Sequence, residues 1–425
     1  MKNAAAYRLL YTANAVSGFA QGISMLAIPW YFSKMINKPE LFGWMYATTT
    51  LIMLFWGLYA GSLIDRFSRK HVFLGINVFG AVLLGAVSAY GYSVGDVGEW
   101  GAIAVFSGTI FIYNIHYPAL YAFGQEITER KYYGRFTSMT EVIGQSTSIL
   151  SGAAGALLLN GTIDLTIAGK SLPEIQPWAL HEIFLADGIS YLISIFLIAA
   201  IRYIPITERH SETGGLFDRI KSGFAFLKSN PLIFLFGNAS FAIFIVLLVT
   251  VQQLLPLYTD QHLQSDAGAY ALAEFFYSVG AMLAGVVIVK VFEKKGALFG
   301  ILLLMATTVY IYINSAFTHS VRWYLFLSVL LGLTNAGARV LRTTWIFQHV
   351  PNQNIGRVSS VFQTINILFR SVLSGIFALP FFNRDGNVAW SYLICALVVA
   401  VFMIPLLKNY KKIKQFSLRK EAEIA

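Results

Sequence analysis

Charged residues are scarce in this chain of 425 residues: Asp, Glu, Lys and Arg make up 12% of it, against 56% hydrophobic residues. Soluble domains carry about 25% charged residues, so an ordinary soluble fold is excluded. The apolar residues fall in runs of about 20, which is the length needed to cross a hydrocarbon core of about 30 Å. The sequence therefore predicts an all-α protein that crosses a lipid bilayer many times.

Cysteine and the common enzyme motifs are equally scarce. The single cysteine, Cys395, excludes disulfides and thiolate metal clusters within one chain. The sequence has no Gly-rich Lys-Ser/Thr phosphate loop that would make ATP the energy source, and no His-Glu-x-x-His motif or spaced nucleophile and base. We therefore expect no metal, no cofactor and no enzyme activity, with a membrane enzyme or a sensor as the remote alternative.

Apolar runs and their breakers predict twelve transmembrane helices. The spans lie at residues 9–33, 42–64, 72–93, 101–124, 137–160, 180–204, 232–258, 268–290, 297–317, 322–346, 358–382 and 388–407. With the N-terminus inside, five of the 31 Lys and Arg residues lie outside: Lys34, Lys38, Lys170, Arg322 and Arg384. This asymmetry follows the positive-inside rule. We therefore expect cytoplasmic N- and C-termini in a bacterial inner membrane, and no nucleic acid partner despite the net charge of +10.

The two halves of the chain repeat each other at three equivalent loops. The matching pairs are 61–66 with 285–290, 134–138 with 356–360, and 28–31 with 255–258. Because the offset is nearly constant, we predict two six-helix pseudo-repeats, 1–204 and 231–407. Parallel repeats of this kind place the substrate between the halves, near the bilayer midplane.

Two segments lie outside these predicted bundles. The linker, 205–230, has apolar residues at helical spacing over 217–227, which predicts an amphipathic helix on the inner membrane surface. The tail, 408–425, is basic, and we expect it to be cytoplasmic and solvated.

The loop between spans two and three reads Gly61-Ser-Leu-Ile-Asp65-Arg66-Phe-Ser68-Arg69-Lys70. It resembles the signature loop of the major facilitator superfamily, with Ser68 where the family usually has Gly. The resemblance implies the major facilitator fold and a gate at the cytoplasmic face. Asp65 would be the acid of this gate, Arg66, Arg69 and Lys70 would be its bases, and Gly61 would let helices pack closely. The alternative is that the bases are only positive-inside anchors.

Three other stretches, 27–31, 185–192 and 217–231, resemble the branch that contains bacterial macrolide-type drug exporters and siderophore exporters. This resemblance implies a monomer that exports a small amphipathic molecule against protons. Two departures leave uptake symport, or lipid or metabolite transport, open. In span five, residues 151–156 are Ser-Gly-Ala-Ala-Gly-Ala, where antiporters of the superfamily often have Gly-Pro-x-x-Gly-Gly. Span four has His116 where proton-driven drug antiporters have arginine.

Polar residues inside spans are candidate substrate or coupling groups, because an ionisable group there is costly. In span eleven, Arg370 shares a helical face with Gln363 and Asn366. It would contact substrate or, alternatively, pair with an acid. Span five carries an equivalent stripe with Glu141 and Gln145.

Further polar residues lie in five other spans. Glu274 would be a proton carrier, or a structural partner of Arg370 or of polar groups in span five. His116, beside Tyr113, would be a pH switch or a residue that is hydrogen-bonded to a neighbouring helix. Asn14 and Gln21, two turns apart, would orient substrate or hold helices together. We expect Asp187 to serve packing, and Arg339 and Arg342 to attract an anionic cargo or to reach the interface.

Overall fold

The computed structural model describes residues 4–127, 133–161, 175–202, 216–292, 295–384 and 386–424, and every regular element in these ranges is helical. The first half contains α1 (Ala4–Trp30), α2 (Pro39–Arg66), α3 (Arg69–Val94), α4 (Gly98–Ile127), α5 (Tyr133–Asn160) and α6 (Leu180–Ala199). The remainder contains α7 (Leu216–Ser229), α8 (Pro231–Ser240), α9 (Ala242–Val249), α10 (Leu255–Leu257), α11 (Ala267–Phe292), α12 (Ala297–Phe317), α13 (Val321–His349), α14 (Asn352–Phe377), α15 (Pro380–Asn383), α16 (Val388–Lys408) and α17 (Tyr410–Ile424). π-Helical turns occupy Tyr31–Met35, Thr250–Leu254 and Tyr258–His262.

Ten helical segments among the described residues are long and apolar enough to cross a membrane. They correspond to predicted spans three to twelve, and α1 and α2 cover the first two predicted spans. The structure therefore confirms an all-α membrane protein. The count of twelve crossings and the cytoplasmic location of both ends stay predictions.

The chain divides into two compact units, of which the first comprises Met1–Glu212 and Asp266–Phe275. In this unit α6 packs along α3 and α1. Gly80 makes the contact with α3 possible, because a Cβ there would lie 2.8 Å from the ring of Tyr191. Lipid tails are as apolar as leucine, so close packing of this kind, rather than water exclusion, holds such helices together.

The second unit comprises Thr213–Ser265 and Phe276–Ala425, and α12 packs against both α13 and α16. At one end of this unit the buried ring of Tyr258 lies 4.8 Å from that of Tyr324 and 4.3 Å from that of Tyr392. The Tyr258 hydroxyl donates to the carbonyl of Ser315 at 2.6 Å. The boundaries predicted from the sequence for the two bundles stay predictions.

The predicted seventh span is interrupted at several points. It runs from Pro231 to His262 as α8, a turn at Phe241, α9, and α10 between two π-helical turns. Pro256 has no backbone N–H and cannot continue an α-helical ladder, which accounts for irregular pairing near α10. Broken helices of this kind expose backbone groups that neighbouring side chains must satisfy.

The described part of the linker and the tail are helical and packed. α7 is a helix over the stretch predicted to be amphipathic, and it packs on α14, with Gly223 against the backbone carbonyl of Arg357; its place on the inner membrane surface stays a prediction. α17 was expected to be solvated, but Ile413 is fully buried, and the Trp345 indole donates to Ser417 Oγ at 2.9 Å. Sequence composition shows the charge of such a tail but not the partner onto which its apolar side packs.

Candidate functional site

The signature loop links α2 to α3. Ser68, the departure from the family pattern, is the N-cap of α3, and its hydroxyl accepts from the backbone N–H of His71 at 3.2 Å. A serine there satisfies a helix N–H that glycine would leave to water. The side chains of Asp65 and Arg66, and the surroundings of Gly61, lie outside the described residues, so their gating roles stay predictions.

The two remaining bases of the loop bind partners within the first unit. Arg69 Nη1 lies 2.8 Å from Glu126 Oε1 at the end of α4, with the side chains 21% and 3% exposed. Lys70 Nζ donates to the carbonyls of Ala199 and Ile201 at 2.7 and 2.8 Å, where α6 ends. A cation at a helix C-terminus is favoured because the last carbonyls carry partial negative charge. Together the contacts fix the start of α3 to α4 and α6.

Sequence reasoning missed Glu126 as the partner of Arg69. The predicted fourth span ends at residue 124, and Glu126 has no predicted role. The signal that could have identified it is an acid just beyond the end of this span, at the same predicted membrane face as the three bases of the signature loop.

Among the described polar candidates of the first unit, His116 and Asn14 are in direct contact. His116 Nε2 lies 2.8 Å from Asn14 Oδ1 and joins α4 to α1. Gln21 and Gln145 are half-buried, and Tyr113 is exposed, with its ring 4.6 Å from that of Tyr117. The side chain of Glu141 lies outside the described residues.

Glu274 lies on the part of α11 that belongs to the first unit. Its carboxyl oxygen Oε1 is buried and accepts no hydrogen bond from the described residues. One turn earlier, Tyr270 stacks on Trp30 with ring centroids 5.7 Å apart. Among the described residues, Glu274 therefore takes part in no ion pair, and its role as a proton carrier stays a prediction.

The small residues of span five do permit close approach. A Cβ at Gly152 would lie 3.0 Å from the backbone nitrogen of Phe275 and 3.2 Å from the carbonyl of Ala271. α5 therefore lies close to backbone atoms of α11 at Ala271, one turn before Glu274, and at Phe275, the residue that follows it. This contact is present although residues 151–156 lack the proline of the antiporter stretch.

The predicted polar stripe of span eleven lies along α14, in the second unit. Gln363 is exposed, Asn366 is 2% exposed, and Arg370 is half-buried. Both amide atoms of Asn366, and Arg370 Nε and Ser371 Oγ, are buried without a hydrogen-bond partner among the described residues. Within the described part of this unit, no carboxylate forms an ion pair with Arg370. The stripe therefore concentrates unsatisfied polar groups, which native proteins keep mainly at functional positions.

The expectation that Arg342 reaches the interface is wrong. The residue is 6% exposed, and Nη1 donates to the carbonyl of Ser240 at 3.0 Å. Its guanidinium carbon lies 3.7 Å from the ring centroid of Phe241. Arg342 thus supports the break between α8 and α9, where a carbonyl would otherwise lack a helical partner.

Comparison with known proteins agrees with this architecture. The sequence-family model for the Major Facilitator Superfamily matches residues 10–374 of this chain. Macrolide efflux protein A of Streptococcus pyogenes is 20% identical over 426 residues, covering 95% of this chain and 96% of that protein.

Two solved transporters share the fold. The nucleoside transporter NupG has a TM-score of 0.69 at 13% identity, covering 96% of this chain and 99% of that one. The D-xylose-proton symporter has a TM-score of 0.65 at 13% identity, covering 94% of this chain and 96% of that one. With the family model across most of its length, the chain belongs to the Major Facilitator Superfamily and is a multi-pass membrane transporter.

Proposed function

We propose that this transporter exports a small amphipathic molecule across the inner membrane of a bacterium in exchange for protons. The observation that carries the proposal is the half-buried side chain of Glu274, one oxygen of which is buried without a hydrogen-bond partner among the described residues. Such a group binds and releases a proton without first breaking an ion pair. Antiport follows if proton and cargo compete for the same part of the protein.

The character of the cargo is inferred from the residues around the candidates. Within the second unit, Asn366 and Arg370 of α14 offer polar atoms that no described side chain satisfies, and Phe369 and Val372 on the same helix are exposed. A molecule with one polar end and an apolar body would use both kinds of contact. The full-length similarity to a protein named for macrolide efflux supports export.

The decisive experiment is transport of a labelled macrolide into inside-out proteoliposomes. We expect accumulation that depends on an acidic lumen and collapses with a proton ionophore. Glu274→Gln should transport at the same rate with and without the gradient. Glu99→Gln makes the same chemical change at an acid paired with Lys38 and should keep the gradient response. A normal gradient response in Glu274→Gln would remove Glu274 as the coupling group.

The gate is a second, separable part of the proposal. Asp65 would lock the cytoplasmic side during each cycle, so Asp65→Asn should slow transport while the protein remains in the membrane. An unchanged transport rate for this variant would contradict the gating role.

Uptake symport is the second candidate function. The reason to keep it is the sequence of span five, where residues 151–156 lack the proline of the antiporter stretch. Accumulation driven by a gradient of the opposite sense in the same proteoliposomes would establish uptake and exclude export.

A further inference from the structure

A fully buried acid lies inside the first unit, where α6 packs on α1. Asp187 of α6 is 0% exposed, seven residues after α6 begins, which is about 10 Å along a helix. The carboxyl lies next to the hydroxyl of Ser24 on α1, which is also 0% exposed. Ser190, one turn further along α6, is 4% exposed.

The hydrogen bonds around this carboxyl are incomplete. Ser190 Oγ donates to the backbone carbonyl of Asp187 at 2.7 Å and lies 3.4 Å from its Oδ1. A hydroxyl has one proton, and the shorter bond takes it. Asp187 Oδ2 and Ser24 Oγ are both buried and form no hydrogen bond among the described residues. The carboxyl and the Ser24 hydroxyl are therefore neighbours, yet Asp187 Oδ2 and Ser24 Oγ each lack a hydrogen-bond partner among the described residues.

No cation compensates this acid within the described parts of α1, α3 and α6. The ionisable groups on these three helices, apart from tyrosines, are Arg8, Arg69, Lys70, His71, His181 and Glu182. Arg8 is exposed, and the bases that begin α3 are held at its start by Glu126, by the end of α6 and by Ser68.

The groups at the start of α6 are engaged elsewhere. His181 packs on Tyr92 with ring centroids 4.5 Å apart, and Glu182 accepts from the backbone N–H of Ala179 at 2.7 Å. The titratable neighbour of Asp187 is Tyr191, a neutral phenol that cannot balance a negative charge. An ionised carboxylate buried without a partner costs several kcal/mol, so a group in this position is neutralised.

We propose that Asp187, together with Ser24, is a proton-binding site, with the carboxyl held as a neutral acid in this conformation. The carboxyl O–H then donates to Ser24 Oγ, and both oxygens are satisfied. One carboxyl and two hydroxyls supply too few oxygens for a metal ion, since the hard cations in proteins take about six or more. The proton leaves when α1 and α6 part enough for water to solvate the carboxylate. That last step rests on the proposed proton antiport, whereas protonation of the resting state does not.

The test is infrared difference spectroscopy of the full-length protein in lipid nanodiscs. Subtraction of Asp187→Asn should reveal a protonated carboxyl band at about pH 7, well above the range near pH 4 in which a solvated aspartic acid loses its proton. Ser24→Ala should shift this band without abolishing it, because the acid loses its acceptor. Glu182→Gln should leave the band unchanged. A difference spectrum without the band at pH 7, or Ser24→Ala without any shift, would overturn the proposal.

Two further measurements separate the alternatives. Replacing choline with sodium should leave the band unchanged, and loss of the band on adding sodium would assign the site to a metal ion. Asparagine is nearly isosteric with the neutral acid, so Asp187→Asn should keep its thermal midpoint, whereas a large drop would indicate a structural carboxylate. Because none of these measurements involves cargo, failure of proton antiport in proteoliposomes would leave them standing.

Discussion

Arg69 Nη1 and Glu126 Oε1 lie 2.8 Å apart and join the start of α3 to the end of α4. The side chain of Glu126 is 3% exposed, and its second oxygen has no hydrogen-bond partner among the described residues. The arginine is thus the main compensation for a buried negative charge. In this conformation the signature loop binds within its own unit through Arg69.

Removing Arg69, the partner of the buried Glu126, should destabilise the first unit. Removing one member of a buried pair costs about 3–5 kcal/mol, because the other charge stays buried. We expect Arg69→Gln to lower the free energy of unfolding by about 3 kcal/mol, measured by thermal and denaturant unfolding in detergent.

An exposed pair provides the control for this prediction. Lys38 and Glu99 lie 2.7 Å apart with side chains 53% and 29% exposed, and exposed pairs contribute about 1 kcal/mol or less. Lys38→Gln should therefore unfold close to wild type. The double variant Arg69→Glu/Glu126→Arg, which exchanges the two charges, should recover part of the lost stability. If Arg69→Gln and Lys38→Gln reduced stability equally, burial of Glu126 would be unimportant.

The sequence predicted the helices well because length, apolarity and charge asymmetry act along the chain. It identified the signature loop and the polar stripe of α14, since helical spacing alone places Gln363, Asn366 and Arg370 on one face. It could not identify Glu126 as a partner, or show that Arg342 is buried, because both depend on how separate helices pack. The helical tail α17 was missed for the same reason: Ile413 and Ser417 acquire their role only from the helices they contact.

Arg342 should be required for the broken seventh helix. It donates to the carbonyl of Ser240 and covers the ring of Phe241. A hydrogen bond from a charged donor contributes about 1.5–3 kcal/mol, so we expect Arg342→Gln to lower stability by about 2 kcal/mol. Arg322, exposed in the first turn of the same helix, is the matched control, and Arg322→Gln should have little effect on thermal unfolding. Comparable midpoints for both variants would mean that the break does not depend on Arg342.

Gly152 should tolerate no side chain. An added methyl group would lie 3.0 Å from a backbone nitrogen and 3.2 Å from a backbone carbonyl of α11, and backbone atoms cannot rotate away. We expect Gly152→Ala to cost about 1–3 kcal/mol, as overpacking does, and to slow transport. On the same helix, a methyl group at Gly144 would lie 4.0 Å from its nearest described neighbour, Tyr117 Oη. Gly144→Ala should be neutral or stabilising by up to about 1 kcal/mol, and a stable, fully active Gly152→Ala would refute the close contact.

His116 should act as a link between helices and not as the pH switch. Its Nε2 atom lies 2.8 Å from Asn14 Oδ1, and its ring lies 4.8 Å from that of Phe73, so both a polar and an apolar contact hold it in place. His116→Asn removes the titrating ring and should cost about 1 kcal/mol of stability for the lost hydrogen bond. The transport rate measured between about pH 5 and pH 8, where histidine changes charge, should keep its wild-type shape. Asn14→Ala should cause a similar loss of stability, because it removes the other half of the same bond. A flattened pH profile in His116→Asn alone would instead place the proton on this histidine and leave Glu274 a structural role.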